Sequence, residues 1–388
     1  MVTSDDLVNL VDDQPDPDCR DAEGLFMMKK GQVEVTFHWV YILIAGAIIL
    51  LFFVGLVIKQ KSVSEERLGE DVVRILESIV VGAGVSEKTK NFIDTSGLAE
   101  YIFEFKCDQG YAGFGIKGGK FEELPIDPVF APKEIKTSRM IFWSLPYKLP
   151  YKVMDLLIIT SANTQYIVVG SGSFYTELQN ATEGLNFDFV PNLNNISPGK
   201  NFHVRIVDVV GNNIVSLPGA LKSFGDEQVS AVSFSGTQQV TYYEKKGNSW
   251  EKGETLSLVS LGGEKDSARY AAIFAGDGES YKCNMEKVFQ RMKYINEVYV
   301  GKVEEINKYY DSAVSSTADP QTSARIQSCQ LTLTGTDGVN QVLSTEMFSE
   351  LNKCADIGYD TCNELPSRAQ DMMLLNQQLQ TGACIQVY

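Results

Sequence analysis

The longest unbroken apolar stretch in the chain runs from Trp39 to Ile58, WVYILIAGAIILLFFVGLVI, with Lys29 and Lys30 before it and Lys59 and Lys61 after it. A helix of that length covers about 30 Å, the thickness of a bilayer's hydrocarbon core, so the pattern predicts one membrane span facing lipid. Directly after it, Ser62 and Glu65 are spaced as a capping box, and Leu68, Val72, Ile75, Leu76 and Ile79 recur at helical intervals. They predict an amphipathic helix that Gly82 and Gly84 stop.

Beyond Leu98 the period shortens to two. Residues 101–107 alternate, 110–119 read as a glycine-rich hairpin, and 135–143 as a strand. The continuous apolar runs DLLIIT (155–160) and QYIVV (165–169) predict strands covered on both faces. Gly170 to Ser173 then open a helix to Glu183. Strands are expected at 186–190, 203–210 and 229–234, a helix at 217–224, an antiparallel extension over 240–246 and 255–260, and a buried strand at 269–275. From Ser280 to Asp311, Met285, Val288, Met292, Ile295, Tyr299, Val303, Ile306 and Tyr310 form one apolar stripe at helical spacing. Residues 312–321 read as a linker, followed by helices near 344–353 and 367–380. The alternation of strands and helices predicts an α/β fold, a mixed sheet with flanking helices, on one N-terminal transmembrane helix, with a disulfide-rich helical C-terminal tail. The expected divisions are a disordered acidic cytoplasmic tail (1–38), the span (39–58), a juxtamembrane amphipathic helix and linker (59–97), an extracytoplasmic α/β domain (98–311) and a cysteine-containing helical tail (312–388).

Cysteine usage orients this plan. Cys19 alone precedes the span, whereas Cys107, Cys283, Cys329, Cys354, Cys362 and Cys384 come after it. Six thiols can all pair in an oxidising space, which places the C-terminal part outside the cell membrane and the first 38 residues inside. The crowding of the last four suggests two bonds within the tail, leaving Cys107 to tie the first strand to the long helix through Cys283. Asn180-Ala181-Thr182 and Asn195-Ile196-Ser197 are glycosylation-type triplets that suit an external domain. The net charge is -16, and residues 1–38 contribute nine acidic against three basic side chains. A chain this acidic is not built for nucleic acid.

Just before the span stand Met27, Met28, Lys29, Lys30, Gly31 and Gln32. This segment resembles the class III signal peptide of archaeal type IV pilin-like proteins, in which a basic pair and a glycine precede a glutamine that begins the mature chain. The resemblance covers about thirty residues and implies a cut between Gly31 and Gln32. At the fifth mature position, where that pattern has glutamate, this chain has Thr36, and Glu34 lies two places earlier. The other reading of the segment is a basic anchor left attached.

Candidate chemistry is sparse. His203, the one histidine after the span, shares a strand with Arg205 and Asp208, and no nucleophile elbow, His-Glu-x-x-His helix or Cys-x-x-Cys pair accompanies it. Gly113, Gly115 and Gly118 spell a dinucleotide fingerprint, but Pro125 stands where a helix is needed, so a hairpin is expected. Gly170, Ser171, Gly172 and Ser173 sit between a strand and a helix, where backbone N–H groups can hold an anion. Asp277 and Glu279 lie in a second strand-to-helix loop that could hold a cation. No metal and no cofactor is called for. The expected role is structural, in adhesion or surface assembly, with the bilayer contacted through Trp39 to Ile58 and with protein partners or self-association. The alternatives are an extracytoplasmic hydrolase-like enzyme and a small-ligand binding module on the same domain.

Overall fold

The computed structural model describes residues 39–57, 59, helical positions between 73 and 82, 90–108, 111–119, 121–124, 128–200, 202–262, 266–334, 346–347, 349–354 and 361–388. The chain falls into two units, Met1–Ser64 and Glu65–Tyr388. In the first, α1 (Trp39–Val57) is a helix long and apolar enough to cross a membrane, with none of its apolar window buried. Ser62, Glu65, Gly31 and Gln32 lie outside the described residues, as does Ile58.

The second unit begins with helical backbone around Val73, which is buried in the same apolar cluster as Phe103 and Met140. After it come β1 (Lys90–Asp94), β2 (Phe103–Asp108), β3 (Tyr111–Ile116), β4 (Phe121–Leu124), β5 (Val129–Phe130), β6 (Glu134–Ile135), β7 (Arg139–Lys148) and β8 (Lys152–Ser161). They build two four-stranded sheets, of order β4-β3-β2-β6 and β1-β7-β8-β5. Gly113 and Gly115 lie within β3 of the β2–β3 hairpin, so the glycine run is a hairpin as expected. Alternation in β7 and β8 sends Met140, Phe142, Leu157 and Ile159 to Phe103, Phe105 and Phe114 of the small sheet. Trp143, Leu145, Leu156 and Ile158 point the other way, into the main core.

Next come β9 (Thr164–Val169), α2 (Ser173–Ala181), β10 (Phe187–Val190), β11 (His203–Asp208), β12 (Val229–Ser235), β13 (Gln239–Lys246) and β14 (Ser249–Ser257). They form a six-stranded sheet of order β10-β9-β11-β12-β13-β14, parallel across its first four strands and antiparallel beyond. One face carries Tyr166, Val168, Val207 and Phe234 against the helices. The opposite face carries Ile167, Ile206 and Ala231 and is covered by Leu193, Leu217, Leu221 and Phe224 from the connections. The helix expected at 217–224 is only a 3-10 turn, Gly219–Leu221. Leu217, Leu221 and Phe224 from this connection share the cover of that face with Leu193 and Ile196 from the one before it.

Residues 269–275, expected as a buried strand, belong to a helix, α3 (Ser267–Phe274), N-capped by Asp266. It lies between the two larger sheets: Phe274 meets Trp143 of β7 at 6.2 Å and Tyr166 of β9 at 5.0 Å. All its residues except Arg269 are buried, so no polar face marks it as helical. After it runs α4 (Gly278–Ser316), 39 residues long. Its first half crosses the core through Met285, Val288, Phe289 and Met292, and its second half buries Val303, Ile306 and Tyr310 against the tail.

The expected linker at 312–321 is mostly helical. Ser312 and Ser315 turn their hydroxyls back onto the Tyr309 and Asp311 carbonyls, and α4 continues to Ser316. Asp319 then caps α5 (Pro320–Thr334), accepting from Thr322 N at 3.0 Å. The last helix is α6 (Leu365–Thr381). Leu333, Met347, Leu351, Met372 and Leu379 join the same apolar cluster as the sheets. Polar bonds fasten the end of the chain: Ile385 N donates to the Tyr310 hydroxyl at 2.9 Å, and Asn376 bonds Val387 N and Tyr388 O. All six cysteines of this unit are paired, Cys107–Cys283 joining β2 to α4, Cys329–Cys384 joining α5 to the C-terminus, and Cys354–Cys362 closing a short loop.

Candidate functional site

The six-stranded sheet has a switch point, because the chain leaves β9 for β10 on one side and returns to β11 on the other. The crevice outside the carboxyl ends of such strands is the usual ligand position in open α/β sheets. Gly170 to Ser173 stand there. Gly170 takes φ +128°, and a Cβ on it would lie 2.7 Å from the methyls of Val209 and Val210. The loop after β11 thus packs directly on this glycine, while Ser171, Gly172 and Ser173 stay exposed at the start of α2.

Asp208 explains why that loop keeps its shape. The residue is 0 % exposed, and its carboxylate accepts from Val210 N, Gly211 N, Asn213 N, Asn213 Nδ2 and Ser233 Oγ at 2.8–3.1 Å. Gly211 takes φ +95° with only 2.4 Å between a would-be Cβ and the Phe234 carbonyl oxygen, so the turn admits no side chain there. Although His203, Arg205 and Asp208 share β11, alternation sends Asp208 to the loop-covered face and Arg205 to the helix-covered one.

The second predicted loop, with Asp277 and Glu279, lies at the corner between α3 and α4. Asp277 caps α4 by accepting from Ser280 N at 2.7 Å. Its other oxygen is 2.5 Å from Lys133 Nζ, which also lies 3.6 Å from Glu244. Burial pulls the Lys133 ammonium down, but these two carboxylates outweigh it and hold it above its ordinary value. The cation beside Asp277 is therefore supplied by the chain itself. Glu279 is exposed in the first turn of α4. Gly276 lets Lys133 approach, since a Cβ there would be 2.9 Å from Lys133 N.

Arg205 is the centre of this corner. It is 6 % exposed. Its Nη1 donates to Ser230 Oγ at 3.1 Å and to the Gly276 carbonyl at 2.9 Å, and its Nη2 to the Ala272 carbonyl at 3.4 Å. The guanidinium thus sits on the carbonyl end of α3, where the helix dipole favours a cation. The Tyr242 ring lies 5.5 Å away, and the Tyr242 hydroxyl shares the Ala272 carbonyl. Burial lowers the Arg205 pKa. Asp277 and Glu244 act on it through space, yet both are paired with Lys133. Its Nε is buried and has no hydrogen-bond partner.

Two clefts flank this arginine. One, of about 710 Å³, is highly charged, with Lys252, Lys282, Glu251, Glu254 and the Cys107–Cys283 bond in its walls. The other, of about 430 Å³, has an apolar floor that includes Tyr166, Val204, Val229 and Phe274, and it carries Lys136 and His203. His203, at the first position of β11, is exposed. Burial pushes the Tyr166 hydroxyl up to about 12, so it stays protonated and shares a 2.7 Å hydrogen bond with Thr160 Oγ1.

Among the described residues no three His, Cys, Asp or Glu side chains converge to hold a metal ion. Sequence reasoning missed Arg205 and Lys133. The one available signal was an arginine inside the apolar run of β11, which must be paired or functional if buried. The chain matches no family model, no curated protein and no solved structure.

Proposed function

We propose that this chain is a single-pass membrane protein whose C-terminal unit works outside the cytoplasm, in a structural, adhesive or surface-assembly role. The observation that carries this reading is the placement of three disulfides, all beyond α1, with one cysteine before it. Stable disulfides form and persist in oxidising compartments. The tail, closed by its own two disulfides, hydrogen-bonded to α4 and sharing the core of the sheets, fits a rigid module held at a surface rather than a hinged enzyme. The basic pair before Gly31 and Gln32 and its resemblance to pilin-like signal peptides agree with export of the downstream chain.

Alkylating the protein from freshly lysed cells without reduction, then mapping the adducts by mass spectrometry, tests the premise. Label on Cys19 alone is expected. Label on the six downstream cysteines would remove the basis for an external domain. A second reading, a small-ligand binding module, is favoured by the two clefts that meet at Arg205.

A further inference from the structure

We propose that the 430 Å³ cleft binds a small organic acid, its carboxylate held by Arg205 with Lys136 and His203 at the mouth, and its apolar body against Tyr166, Val229 and Phe274. The inference rests on the second reading above, the small-ligand binding module, and holds on either side of a membrane.

Three acids of the cleft are already engaged: Glu134 with Lys117 at 2.6 Å, Asp226 with Lys245 at 2.6 Å and Glu244 with Lys133 at 3.6 Å. Among the described residues, Arg205, Lys136 and His203 have no carboxylate within ion-pair distance. Glu227 is the one acid of the cleft left to face them. A buried guanidinium with no carboxylate in contact is costly to keep dry, and the carbonyls of Ala272 and Gly276 and the more distant Asp277 and Glu244 offset this only in part.

The free donors define the ligand. A guanidinium has five N–H groups, and Arg205 uses three, leaving Nε–H and one N–H on Nη2. Nε and Nη2 form one edge of the guanidinium, the kind of edge that grips a carboxylate through two parallel bonds, and Nε stays covered until a ligand displaces its neighbours. A phosphate group would ask for more donors, commonly a glycine-rich loop or a helix N-terminus. The nearby N-terminus of α4 is already filled by the carboxylate of Asp277. An apolar floor with a few convergent polar groups is the ordinary build of a small-molecule site.

The test is calorimetric titration of the full chain in lipid nanodiscs with benzoate, with benzamide as the uncharged mimic of equal size and with inorganic phosphate. Saturable benzoate binding is expected, with benzamide at least about tenfold weaker, the loss that comes from removing a charge-assisted hydrogen-bond pair. Lys136→Glu, a change at an exposed position, should weaken benzoate about threefold or more. Arg205→Lys should weaken it about tenfold while leaving the circular dichroism native; should that variant misfold, Lys136→Glu decides. Absence of saturable benzoate binding up to about 10 mM, equal binding of benzamide, tighter binding of phosphate, or an unmoved affinity in Lys136→Glu would each overturn the proposal.

Discussion

Replacing Cys107 and Cys283 together by alanine opens the longest covalent loop in the molecule, closed across 176 residues. The chain-entropy relation assigns a loop of that length about 5 kcal/mol, against about 4 kcal/mol for the 55-residue separation of Cys329–Cys384 and about 2.5 kcal/mol for the 8-residue separation of Cys354–Cys362. Cys107 and Cys283 also share a small buried cluster with Ala112, so losing both sulfurs adds a packing cost of about 1 kcal/mol. Urea denaturation of the full chain in mild detergent, followed by far-ultraviolet circular dichroism, reads these differences as midpoint shifts. With a slope of about 3 kcal/mol/M, the first double variant should lose about 2 M and the Cys354→Ala/Cys362→Ala variant under about 1 M. A smaller loss for the first than for the third would refute the idea that β2 and α4 are held together chiefly through the unfolded chain's entropy.

Two other outcomes are expected from the geometry and one from the sequence. Asp208→Ala strips the acceptor from three backbone N–H groups and should cost about 3–5 kcal/mol, and a urea midpoint lowered by less than about 1 kcal/mol equivalent would contradict the account of its loop. Asp266 is pushed above its ordinary 3.8 by burial, with bonds from Ser260, Arg269 and Ala268 opposing the rise. Folded protein therefore holds the proton more tightly than unfolded protein, and this contribution is full below pH 3.8 and lost as pH rises through the folded value. Relative to Asp266→Asn, the native chain should lose stability over that window, and a gap between the two that does not change with pH would contradict it. Edman sequencing of protein from membranes should find an uncut N-terminus; a chain beginning at Gln32 would favour the pilin-type cut instead.

Much of the architecture is legible in the sequence because some elements carry one unambiguous period. The α1 helix is apolar for its whole length, α4 keeps a single stripe between polar faces, and β9 is a pure run with turn signals at both ends. The elements that mislead are those whose surroundings cancel the period. Lying between two sheets, α3 buries seven of its eight residues and so looks like a covered strand. The serine-rich end of α4 looks like a linker because nothing local says that its hydroxyls will bond back to the helix. The cysteine pairing is partly legible from spacing, since four of the six crowd the tail. The corner around Arg205 is not, because it joins Lys133 just before β6, strands β11, β12 and β13 and the α3–α4 turn, which only the tertiary fold brings together. Asp277 reads as part of a cation loop, and its actual partner, Lys133, lies 144 positions earlier.

The proposed position of the unit Glu65–Tyr388 on the outer side of the membrane is tested most directly by protease added to intact cells, or to spheroplasts where a wall intervenes. Antibodies to the two ends of the chain report which part is digested. The account predicts loss of the C-terminal epitope while the N-terminal tail survives. Protection of the C-terminal epitope until the cells are lysed would contradict it.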